Sequence, residues 1–169
     1  QLDVREDMSA LSASMLKMGF SSSDPMMSGM NACDGMTTSN FPNPIPQTSY
    51  DQCQASLSGM MNYLVQNEQA VRQQISSAEY YMALAFGRTQ QAYQELLFYW
   101  LSDNNRANRA RDHGLVDVFV FIRKALYPGQ RVVLWSEDQG VATNGLNWVI
   151  PKPSYASAGD MLKQHFGRK

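Results

Sequence analysis

Charge is the first thing this chain has little of. Charged residues fill 17% of its 169 positions, and the formal net charge is −1; a typical soluble domain carries about a quarter. That balance lacks the basic footprint of a nucleic-acid binder, so no nucleic-acid partner is expected. Long hydrophobic runs are also missing. No stretch approaches the roughly 20 apolar residues of a membrane-spanning helix, so no membrane span is expected. Nor does a Lys/Arg-led apolar leader open the chain, which begins at Gln1 and reads as a processed protein or an excised piece. Ser, Gln, Asn and Met take the place of charge, as is common in exported proteins. The length suits one domain with a real core.

Helical periodicity dominates the first hundred residues. Val4, Met8, Leu11, Met15 and Met18 recur every three or four positions, the stripe of an amphipathic helix over Leu2–Phe20. Asp3 and Glu6 stand in capping-box spacing and Gly19 is a natural stop. Tyr50–Ile75 repeats the pattern with Cys53, Leu57, Met60, Leu64, Val71 and Ile75 on one side. After Ser76-Ser77 another helix carries Met82, Phe86, Tyr93, Leu97 and Trp100 as its expected stripe, and the polar run Ser102-Asp103-Asn104-Asn105 ends it. Its aromatic residues (Tyr80, Tyr81, Tyr93, Phe98, Tyr99 and Trp100) are read as core packing, with a recognition surface as the alternative.

Ser21–Ser49 breaks this rhythm. Pro25, Pro42, Pro44 and Pro46, with Gly29 and Gly35, forbid a regular element over most of it. An unstructured connection this long needs an anchor. Cys33 lies in the loop, Cys53 in the next helix, and the chain has no other cysteine. A disulfide between them is the favoured reading; it implies an oxidising, periplasmic or secreted location. The alternative is two unrelated thiols with Cys53 buried. Met26, Met27, Met30, Cys33 and Met36 share the spacing of a soft-metal site. Methionine, however, is spread over the whole chain, 11 in all, and fills gaps generally; no metal and no other cofactor is expected.

Beyond Asn105 the pattern changes again. A helix is expected from the Arg106, Arg109, Arg111 run to Leu126, although Leu115–Ile122 is β-branched enough to pass for a strand. Pro128-Gly129 turns the chain into a buried strand over Arg131–Ser136. Leu146–Ile150 reads as a second short strand after the Asn144-Gly145 turn. Ser154 or Ser157 opens a last helix with Met161, Leu162 and Phe166. The expected fold is therefore mainly helical α/β: about five helices, including a long antiparallel pair, packed on a small sheet centred on Val132–Trp135. It is read as a single domain over 1–169, with a helical part over 1–105 and a helix-strand-helix part over 106–169.

Three stretches of the second part carry a resemblance. Arg111-Asp112-His113-Gly114-Leu115, Pro128 through Trp135, and Ala158-Gly159-Asp160-Met161-Leu162 with Phe166-Gly167 resemble the C-terminal half of the erythromycin-esterase family. The match covers about a third of the chain. It implies an esterase or lactone hydrolase whose cleft lies at the carboxyl end of the strand, with Arg111, His113, Glu137 and Asp138 as cleft candidates. Where that family carries two strand-end histidines, this chain has Glu137 and Gly140. The family's Gly-Glu-x-x-His segment has no counterpart. Its chemistry needs a base with a pKa near working pH, and Glu137 would serve only if its own were raised. His113 is read as a surface residue.

Two function classes follow. One is a non-catalytic or degenerate relative of these esterases, an exported binding or surface-interaction protein with a protein or small-molecule partner. The other is a partial hydrolase with a carboxylate-lined cleft at Glu137 and Asp138. Enzymatic activity is left open, leaning towards none.

Overall fold

The computed structural model describes residues 4–34, 36, 44–131 and 156–167. Helix α1 runs Val4–Lys17, α2 Pro25–Asp34, α3 Gln47–Gln66, α4 Glu68–Gln74, α5 Ser77–Tyr99, α6 Asn104–Phe121 and α7 Ala158–Phe166. A widened turn continues α6 through Leu126, with the Tyr127 amide reaching back five residues to the Ile122 carbonyl.

The expected α/β fold is overturned. Among the described residues there is no strand, and helices pack on helices rather than on a sheet. The reason lies in the stripes. The apolar faces of α1 and α3 meet α5, with α2 packed on both α3 and α1, and α4 adding Val71 to the same cluster, so those helices bury one another without a sheet to cover. The strands expected over Arg131–Ser136 and Leu146–Ile150 lie outside the described residues, save Arg131.

Capping explains where several helices start. Ser76 and Glu79 form a capping box at α5, each satisfying the other's backbone amide. Glu79 also pairs with Lys17, which ties the end of α1 to the start of α5. Asp103 caps α6 by accepting from the Arg106 amide at 3.0 Å. Asp103→Ala is expected to cost about 1 kcal/mol, read as a lower urea midpoint, whereas Asp103→Asn should retain most of the stability.

Within the Pro- and Gly-rich segment, α2 corrects the expectation of an irregular loop. Pro25 stands at the first helical position, where its missing N–H would have had no partner. Asp24 accepts from the Met26 amide at 2.9 Å. Gly29 then lets α2 lie directly on α3: a Cβ there would come within 1.8 Å of Ser56 Oγ. One turn further on, Cys33 and Cys53 are joined by a disulfide with Cα atoms 5.0 Å apart. The favoured pairing is therefore present.

Helix α5 sits at the centre, against α1 and α3 on one side and α6 on the other. The α5–α6 hairpin is antiparallel, as the pairs Glu95–Arg106 and Tyr81–Phe121 require. A Cβ on Gly114 would sit 2.6 Å from that of Ala92, so the two backbones meet at small residues. The stripe expected for α5 is out of phase. Met82 and Trp100 are exposed, while Tyr80, Ala83, Gly87, Gln90 and Gln94 are buried. Two hydrogen bonds join α5 to α3: Gln91 Nε2 donates to Ser58 Oγ, and Gln54 Nε2 of α3 donates to the Gln91 carbonyl.

Candidate functional site

Two regions concentrate the chemistry of the described residues. The first is where α6 receives α7. The small residues Ala107, Ala110 and Gly114 of α6 are buried on the side of α5. Asp112, Val116 and Phe119, spaced by four and three, form a second seam, and Phe119 meets Phe166 of α7 edge-on at 6.0 Å.

Asp112 is the one charged side chain buried among the described residues, at 1% exposure. Its carboxylate takes Nε and Nη2 of Arg111 at 3.0 Å each. It also accepts the Ala158 amide at the start of α7, where Ser157 caps the helix by accepting from Asp160 N–H at 3.2 Å. Burial pushes the Asp112 carboxyl above its ordinary value, and Arg111, the Ala158 amide and His113 pull it back only in part.

The cleft candidates are thus only partly brought together. Arg111 engages its neighbour Asp112. His113 points to solvent on the next face of α6, so Asp112 and His113 do not form a base-and-orienter pair. His165 is exposed beside Phe166, with ring centroids 4.7 Å apart. Glu137 and Asp138 lie outside the described residues. No group of three or more His, Cys, Asp or Glu able to hold a metal occurs among the described residues. Met27, Met30 and Met36 are core residues, and Cys33 is oxidised.

The second region is the closed end of the α5–α6 hairpin. Tyr50 of α3 stacks on Phe98 at 4.2 Å, and Tyr99 meets both rings edge-on. Arg106 lies over Tyr99 at 3.8 Å and binds Glu95 at 2.9 Å. Burial, with Glu95 and Tyr99 nearby, pushes the Tyr50 hydroxyl up to about 12, so it stays a neutral phenol. Next to this stack, Trp100 and Leu101 are 44% and 58% exposed.

No family model, curated protein or solved structure matches this chain. In the sequence, Arg111 and His113 are named as cleft candidates and Asp112, the buried residue between them, is not. Its signal was the four-and-three spacing to Val116 and Phe119. Tyr50 carried no comparable signal, because its stacking partner is 48 positions away in α5 (98 − 50).

Proposed function

We propose that this chain is a non-catalytic, exported binding domain that recognises a protein partner through the closed end of the α5–α6 hairpin. The observation that carries this is the pairing of exposed Trp100 and Leu101 with a fixed aromatic stack and Arg106. Trp, Tyr and Arg supply most hot-spot energy at protein interfaces, and side chains held in advance lose little entropy on binding. Export is supported by the Cys33–Cys53 bond, since such bonds persist in oxidising compartments. No helix among the described residues is long and apolar enough to cross a membrane.

A degenerate erythromycin-esterase-like ancestry is part of the same proposal. Its support is that two of the stretches carrying the resemblance meet through the Asp112 carboxylate and the Ala158 amide. One departure stands against it: Arg111-Asp112 lies two turns inside α6, which begins at Asn104, rather than at a helix start.

The test is photo-crosslinking from position 101 of the exported protein in its native cells. A discrete protein adduct that disappears with Trp100→Ala is the expected result. An adduct indifferent to Trp100→Ala, or none at all, would remove the proposed surface. Hydrolysis of macrolide lactones or simple aryl esters above the buffer rate would remove the non-catalytic reading.

A further inference from the structure

Helix α7 is held differently from the rest of the molecule. The main buried cluster is built from residues of α1 to α5 and the α2–α3 connection. None of its members belongs to α7, whose described packing is against α6. Three contacts define that docking. Asp112 accepts the Ala158 amide, Phe119 meets Phe166, and Arg123 lies over the Phe166 ring at 4.7 Å.

At nine residues, α7 is too short to hold its helix alone in water. Elements with few apolar contacts open first, well before the whole protein unfolds. The contact at the start of α7 is also the one that buries a charge. Ala158, itself fully buried, donates its amide to the buried Asp112, so docking removes water from a carboxylate that undocking would return to solvent.

We propose that α7 is a detachable latch on α6, keyed by Asp112 and tightened in acid. Docking buries the carboxyl group, and a buried carboxyl is more easily accommodated neutral than ionised. The direction of its shift agrees. The docked Asp112 holds its proton to higher pH than a free carboxyl, with an ordinary value of 3.8. The contribution is therefore fully present below that value, and it is lost as pH rises through the higher docked value. Above that window docking settles at its weaker level.

Other charged groups around Asp112 are accounted for. On α6, Arg111 favours the ionised form and His113 adds a weaker pull in the same direction. On α7, Asp160 is bonded to Ser157, while Lys163 and His165 lie in the last turn. On α5, Glu95 is taken up by Arg106 and Arg88 is exposed. Glu79 responds in the opposite sense at the α1–α5 contact. Lys17 and Ser76 hold it down to about 2, so its contribution is lost only in stronger acid and reports separately.

Amide hydrogen exchange across a pH series, corrected for the intrinsic pH dependence of exchange, tests the latch. Residues 158–166 are expected to lose protection as pH rises above the ordinary carboxyl value, while residues 47–66 of α3 keep theirs. Asp112→Asn retains an acceptor for the Ala158 amide but cannot titrate, so its protection should not vary with pH. Arg111→Gln removes the partner that favours ionisation, and should move the loss of protection to higher pH. The latch is overturned if wild-type protection at 158–166 is flat with pH, or is lost together with that of α3. It is equally overturned if Asp112→Asn keeps the wild-type pH dependence or Arg111→Gln leaves it unmoved.

Discussion

Replacing Cys33 and Cys53 together by alanine is expected to destabilise the protein by about 3 kcal/mol, the chain-entropy value for a closed loop of this size. The bond spans 20 positions and joins the last turn of α2 to the second turn of α3. Helix α2 has only ten residues, one of them Gly29, so it does not persist alone. Without the bond, its docking depends on Met27, Met30 and the close approach at Gly29. At roughly 2–4 °C per kcal/mol for a chain of this size, the melting temperature should fall by about 10 °C. Both cysteines are fully buried, so reductant should act slowly on the native protein and quickly near the unfolding midpoint. A double variant with an unchanged midpoint would show that packing at Gly29 and Met30 is sufficient without the bond.

Met60→Ala is expected to cost about 2–5 kcal/mol, the range for truncating a buried side chain of this size. Met60 is fully buried and its methyl lies over Gly87 of the central helix; a Cβ on Gly87 would approach Met60 Cε to 2.7 Å. That geometry makes the two positions dependent on each other. In the wild-type background Gly87→Ala must displace the end of a flexible side chain, which offsets the helix propensity gained, about 1 kcal/mol. In the Met60→Ala background the closest obstruction is gone, leaving Met61 Cγ at 3.0 Å as the tightest contact, and the added methyl fills part of the cavity. Gly87→Ala should therefore recover stability there, and denaturation of all four proteins gives the coupling directly. Strict additivity would mean that Met60 and Gly87 are not in contact in solution.

Both predictions concern faces that were unequally readable. On α1 and α3 the expected stripes are the buried ones: Met8, Leu11, Met15 and Met18, then Cys53, Leu57, Met60 and Leu64. Each of these helices has one apolar side to bury and a polar side in water, so periodicity alone reports the contact. Helix α5 is different because neighbours flank it on opposite sides. Where helix backbones approach closely, the seam selects small residues, and the large apolar ones are displaced to its flanks. Ala83, Gly87 and the Ala92–Gly114 contact consequently carried no hydrophobic signal, whereas Met82 and Trp100 did and are exposed.

The expected sheet failed for a related reason. Apolar runs near the C-terminal end were read as strands that the helices would cover, yet the described helices already cover one another. Asp112 follows the same logic at the scale of one residue. A charged side chain next to Arg111 reads as solvated until a second helix is placed over it.

What the sequence determined by itself was local or forced by number. The amphipathic faces of α1 and α3 follow from 3.6-residue periodicity, the start of α7 is narrowed to Ser154 or Ser157, and Cys53 is the only possible partner for Cys33; that Ser157 is the cap and that the two sulfurs are joined came with the structure. Tertiary structure alone decided which side of α5 is buried, that Tyr50 stacks on Phe98, and that Asp112 lies beneath Ala158. Those outcomes depend on which distant segment arrives at a given face, and the composition of the face itself does not encode it.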